Sequence, residues 1–106
     1  MGRFVIAAFK PKPGKQEQLR AVVAKHWCVL SEQGLVTDRP RYAMQSTDGT
    51  ILEVFEWRSA QAIESAHQNP AVQALWAEFE AACEYVPLIT VAESQDLFAE
   101  FEALPL

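Results

Sequence analysis

The chain has no excess of positive charge: 9 Lys and Arg stand against 14 Asp and Glu, a formal charge of −5. A face that tracks nucleic-acid phosphates needs clustered basic residues, so no nucleic-acid partner is expected, and no anionic membrane partner either. Lys10, Lys12 and Lys15 lie close together, but Pro11 and Pro13 interrupt them, and they read as a solvated loop. No apolar run approaches the length of a membrane span. The first residues lack the basic flank, long apolar run and small-residue cleavage site of a secretory signal. Ile6 stands where a myristoylation motif wants Ser or Thr. The expected address is the cytoplasm. Of cysteines there are two, Cys28 and Cys83, without C-x-x-C spacing. They read as small buried apolar residues before they read as a disulfide or a nucleophile. Also missing are a Ser-His-Asp set, a Gly-rich phosphate loop and any cluster with metal-ligand spacing. Neither a metal nor a cofactor is therefore expected.

Apolar residues, by contrast, are plentiful: 50% of the 106 residues are hydrophobic, the top of the usual range for a soluble domain. Without repeats, linkers or low-complexity segments, residues 1–106 read as one domain with a modest core. So short a chain has much surface for its volume, and part of its apolar surface is expected to meet another chain.

"RFVIAAFK" (3–10), stopped by Pro11 and Pro13, predicts a strand. Both of its faces are apolar, Phe4, Ile6 and Ala8 on one and Val5, Ala7 and Phe9 on the other, so both need cover. Leu19, Val22, Val23, Trp27 and Leu30 recur at three and four residues, which predicts a helix from Gly14 to about Gln33, ended by Gly34. "RYAMQSTDGTILEVFEW" (41–57) predicts a hairpin turning at Asp48-Gly49, with positive φ at both turn residues. In its second arm Glu53 and Glu56 point to opposite faces of a strand apolar on both, so each is expected to pair with a basic group or to sit near solvent, with Arg41 and Arg58 the nearest basic candidates. Ser59 can cap a short helix, and Asn69-Pro70 can start the next, with Asn as cap and Pro at the first helical position. "YVPLITVAE" (85–93) returns as a strand, with Pro87 favouring a sheet edge. "SQDLFAEFEAL" (94–104) predicts a C-terminal amphipathic helix that packs Leu97, Phe98, Phe101 and Leu104 on protein. The order is β-α-β-β-α-β with a helical tail, an α+β fold of ferredoxin-like type with an antiparallel sheet. Helices cover one face of such a sheet, and a symmetric dimer pairing two sheets would hide the other.

With "PGKQEQL" opening the first helix, "EQG" closing it, and "LEVFEWRSAQAIESAHQNPAV" in the middle, the chain resembles the antibiotic-biosynthesis-monooxygenase-like group of dimeric α+β barrel proteins. The resemblance covers roughly residues 3–92. It implies a homodimer with a pocket in each protomer between sheet and helices. It also implies cofactor-free oxidation of a small aromatic or quinol substrate that supplies its own electrons to O₂. The same fold also hosts proteins without turnover, so a small-molecule-binding or stress-associated module is the alternative. Haem degradation in the group depends on a first-strand Asn with a later Trp and His. This first strand has no Asn, and His67 precedes Trp76.

His67 matches the group's histidine in Ala-His-x-x-Pro. Two roles are open to it: a base for a phenolic proton, or a ring that satisfies backbone groups freed at the break before Pro70. Trp76, nine residues on, is either core or substrate wall, and its indole N–H wants an acceptor. Trp57 and Phe79 are further candidates for the wall, while Trp27 reads as core. His26 lies at the border of the first helix's apolar stripe, either a satisfied boundary residue or a second pocket histidine.

Overall fold

In the computed structural model, which describes residues 1–106, the first apolar run forms β1 (Arg3–Pro11). α1 (Gln16–Glu32) follows and buries Leu19, Val22, Val23, His26 and Leu30 along one side. Gly34, with φ 70°, ends it in the left-handed conformation. β2 (Tyr42–Gln45) and β3 (Ile51–Trp57) make the hairpin. Its turn departs from expectation in one respect, since Gly49 alone has positive φ, 92°. Asp48 holds the turn with its side chain, accepting the Thr50 backbone N–H at 2.9 Å. That local bond lets the loop close without a second left-handed residue.

α2 (Ala60–Ala66), α3 (Pro70–Ala82), β4 (Cys83–Val86) and β5 (Glu102–Ala103) complete the chain. The five strands lie in the order β4-β1-β3-β2-β5, all antiparallel. This is the expected α+β, ferredoxin-like arrangement, extended by β5 at one edge. Register assigns the faces. Phe4 pairs with Glu56, Ile6 with Val54 and Ala8 with Leu52, so these six share the outer face. Val5, Ala7 and Phe9 look toward the helices with Phe55, Glu53 and Ile51. On the helix side one buried cluster gathers around Phe9, Leu19, Val23 and Phe79, and another around Leu30, Phe55, Trp57 and Val72.

The C-terminal segment corrects the sequence reading. β4 ends at Val86, before Pro87, and two 3-10 turns follow at Leu88–Thr90 and Ala92–Gln95. No α-helix forms over 94–104; the chain runs out to β5 and pairs with β2, where the Leu104 N–H meets the Ala43 carbonyl at 3.0 Å. An isolated helix of about eleven residues is marginal, whereas pairing here satisfies the exposed edge of β2. The predicted apolar side of that helix is split. Leu104 is buried among the helix-side core, Phe101 packs on the outer-face cluster of Ala8, Leu52 and Val91, and Leu97 and Phe98 stand 90% and 81% exposed. Glu93 ties the segment to the hairpin, accepting from the Ser46 hydroxyl and the Thr47 N–H. No helix is long and apolar enough to cross a membrane.

The two cysteines also part company. Cys28 is exposed, two positions on from His26 and so about 200° round the helix from the buried stripe. Cys83 is buried, and desolvation pushes its thiol up to about 11 from 9.0. Its thiolate is thereby about 100-fold scarcer. A thiol reagent at neutral pH is expected to add one label quickly, at Cys28, and a second only in denaturant. Two fast labels on the native chain, counted by mass spectrometry, would contradict the burial of Cys83.

Candidate functional site

A cavity of about 500 Å³ opens between the sheet and the helices, and eight of its eleven lining residues are hydrophobic. The sheet contributes Val5, Ala7 and Phe9 from β1, Phe55 and Trp57 from β3, and Tyr85 from β4. Small Ala7 leaves the space that its aromatic neighbours surround. The helices contribute His26 from α1, Ile63 from α2, and Trp76 and Glu80 from α3, with His67 just past the end of α2. Such a volume and lining suit a small, largely apolar ligand.

The wall on the helix side depends on the break between α2 and α3. Ser59 caps α2, its hydroxyl accepting the Ala62 N–H at 3.1 Å. Asn69 caps α3, its side-chain oxygen accepting from Ala71 and Val72 at 2.9 and 3.2 Å, and Pro70 takes the first helical position. The break leaves His67 at the C-terminal end of α2, where Gln73 bonds its backbone carbonyl at 2.8 Å. Its ring bonds no backbone group and instead meets the Trp76 ring edge-on, centroids 5.0 Å apart. The exposed His67 and half-buried Trp76 thus stand together at the rim.

The deep end holds an arrangement that the sequence reading did not assemble. His26 is only 5% exposed, not a boundary residue. Its Nδ1 lies 2.5 Å from Oε1 of Glu53, and the other oxygen of Glu53 accepts from Arg41 at 3.0 Å. The Glu53 side chain is fully buried, and the Arg41 guanidinium also donates to the carbonyls of Val23 and Ala24. Phe55 and Phe79 present their rings edge-on to the imidazole at 5.4 and 4.8 Å. Nε2 of His26 is buried without a partner.

Of the expected wall residues, His67, Trp76, Trp57 and His26 all meet in this cavity. Phe79 does not; it lies behind the wall, 1% exposed, stacked on Phe9 at 4.7 Å and set against His26. Its place on the buried stripe of α3 directs it into the core, not toward the opening. Glu53 takes Arg41 as expected, but Glu56 takes Arg39 at 2.8 Å and the Thr37 hydroxyl, while Arg58 bonds the Val36 carbonyl. Trp27 is half-buried beside the second cluster, with an indole N–H lacking a partner. Tyr85 and Ile63 escaped notice, having no sequence signal beyond their apolar neighbours. Partial burial, with Cys83 and Glu80 adding to it, pushes the Tyr85 hydroxyl up to about 12, so it stays a hydrogen-bond donor. No group of three or more His, Cys, Asp or Glu side chains is arranged as a metal cage.

A family model described as antibiotic biosynthesis monooxygenase matches residues 3–78. The chain belongs to the antibiotic biosynthesis monooxygenase family. The matched stretch runs from β1 through most of α3 and carries every cavity residue named above except Glu80 and Tyr85. Two solved structures share the fold. The Rv0793 protein of Mycobacterium tuberculosis is 22% identical with TM-score 0.64, over 82% of this chain and 87% of that one. A putative antibiotic biosynthesis monooxygenase from Chloroflexus aurantiacus J-10-fl is 16% identical with TM-score 0.62, over 80% and 84%. No curated protein matches the chain.

Proposed function

We propose that this family member is a cofactor-independent monooxygenase-like protein that takes a small phenol or quinol into the cavity between sheet and helices. The observation that carries the reading is an open, aromatic-walled space of about 500 Å³ with an imidazole at its rim and another in its depth. In the reaction we infer, loss of a phenolic proton makes the ring electron-rich enough to reduce O₂. One oxygen atom enters the ring and the other leaves as water, and the electrons come from the substrate as phenol becomes quinone. In this reading His67 takes a proton from a hydroxyl at the mouth and releases it to solvent, and Trp76 holds the ring, the two side chains lining the cavity ring to ring. The active form is a homodimer formed through the outer sheet face, where Phe4, Ile6 and Tyr42 are 61%, 49% and 61% exposed.

The test is oxygen consumption and quinone formation with a panel of phenols and hydroquinones, on protein stripped of metal and flavin. His67→Ala is expected to lower turnover about 10²-fold or more with the fold intact, and Trp76→Phe mainly to raise KM. Ligand binding without oxygen uptake would favour the non-catalytic binding module. Failure of every aromatic to bind would overturn the cavity reading itself.

A further inference from the structure

We propose that Arg41, Glu53 and His26 form a proton-accepting hydroxyl site at the deep end of the cavity. It selects aromatic ligands that enter with a hydroxyl group leading. The inference rests on the aromatic-cavity reading above and adds to it a second polar contact and its polarity.

A carboxylate can only accept, so Nδ1 of His26 carries the proton it shares with Glu53. That bond fixes the tautomer. Arg41 already balances the charge of Glu53, so the trio is neutral when Nε2 of His26 is bare. A second cation would stand uncompensated among Phe9, Phe55 and Phe79. Nε2 is then a buried acceptor with nothing to accept, a costly state unless a ligand donates to it. Of groups that fit an apolar cavity, a phenolic hydroxyl meets that need. When its proton moves to Nε2, the O–H bond breaks, an N–H bond forms, and the phenolate oxygen accepts from the new N–H. Imidazolium and phenolate arise together, so the buried site stays neutral overall. His26 is the group in contact with ligand; Glu53 and Arg41 position it and set its charge. The other ionisable groups around the cavity are Glu80, Tyr85 and His67, and of these Tyr85 is held as a donor.

The probe is 4-nitrophenol, whose phenolate absorbs in the visible, mixed with the full chain at a pH where the free phenol is mostly un-ionised. Bound probe is expected to show the phenolate band. In His26→Gln the probe is expected still to bind with the band reduced tenfold or more, and in Glu53→Gln with a reduction of several-fold. 4-Nitroanisole, with the same ring and no proton to give, is expected to bind about tenfold more weakly. Nitrogen-15 resonances of the wild-type imidazole are expected to show a proton on Nδ1 and a bare Nε2, then protonation of Nε2 as 4-nitrophenol binds. This readout needs no variant to fold. A free protein with the proton on Nε2, probe bound without the band, or a band unchanged in His26→Gln would overturn the proposal and leave the cavity reading standing. If neither aromatic binds the wild type, both fall together.

Discussion

Arg41→Met is expected to lower folding stability by about 3–5 kcal/mol, read as a lower urea midpoint with an unchanged slope. The size follows from what the guanidinium leaves behind. The Glu53 side chain is 0% exposed and Arg41 is its cationic partner, so removing Arg41 strands a carboxylate in the core, supported by His26 alone. The carbonyls of Val23 and Ala24 lose a donor at the same time. The double variant Arg41→Met/Glu53→Gln is expected to recover a large part of the loss. The amide that replaces the carboxylate carries no charge, and its oxygen still accepts from Nδ1 of His26. Strong non-additivity in that cycle is the diagnostic result. A single-variant loss under about 1 kcal/mol would mean that the trio behaves as an ordinary surface ion pair.

Ile6→Glu is expected to convert the proposed dimer to a monomer at micromolar concentration, with light scattering reporting half the wild-type mass. On β1 Ile6 faces outward beside Phe4 and opposite Val54, with Tyr42 across the neighbouring strand. The C-terminal segment packs Val91 and Phe101 on the Ala8 and Leu52 end of that face and borders a hollow lined by Ile6 and Val54, leaving Phe4, Ile6 and Tyr42 exposed. Two such uncovered halves pressed together are expected to bury well over about 1,000 Å² in total. A carboxylate in their middle would be desolvated without a partner. In the monomer Ile6 is half exposed, 49%, so the fold of each protomer should survive the change. A wild-type chain that already scatters as a monomer would overturn the dimer.

The sequence carried the ferredoxin-like order plainly, because each element had its own local signal: prolines after β1, Gly34 after α1, Asp48-Gly49 in the hairpin, and Asn69-Pro70 between the helices. It also drew attention to His67 and Trp76, which flank the same caps-and-break motif and meet ring to ring in the fold. Two things were not legible. The C-terminal segment has a helical pattern of apolar residues, and what overrides it is the unpaired edge of β2, far back along the chain. The deep site combines a helix residue, a hairpin-arm residue and a strand residue, His26, Arg41 and Glu53. The Arg41–Glu53 pairing was within reach of the sequence, but His26 and Glu53 each looked like a local anomaly beside an apolar face. That two such anomalies, on α1 and β3, should cancel one another was the available clue, and it required knowing that α1 lies over β3.

Glu53 has a consequence for how the chain avoids misfolding. A strand apolar on both faces is poorly protected against slipping, because its hydrophobic pattern looks much the same after a shift of one residue. β3 is such a strand, apart from its two carboxylates. In the native register Glu53 faces Arg41 and His26, while Glu56, on the reverse side, reaches Arg39 and Thr37. Slipping β3 by one position would exchange the two sides, pressing Glu53 toward the bare sheet face and Glu56 toward the helices, each without its cation. Wrong registers are penalised twice in one seven-residue strand. The same carboxylates that complicate an otherwise greasy sheet thereby serve as its alignment marks during folding.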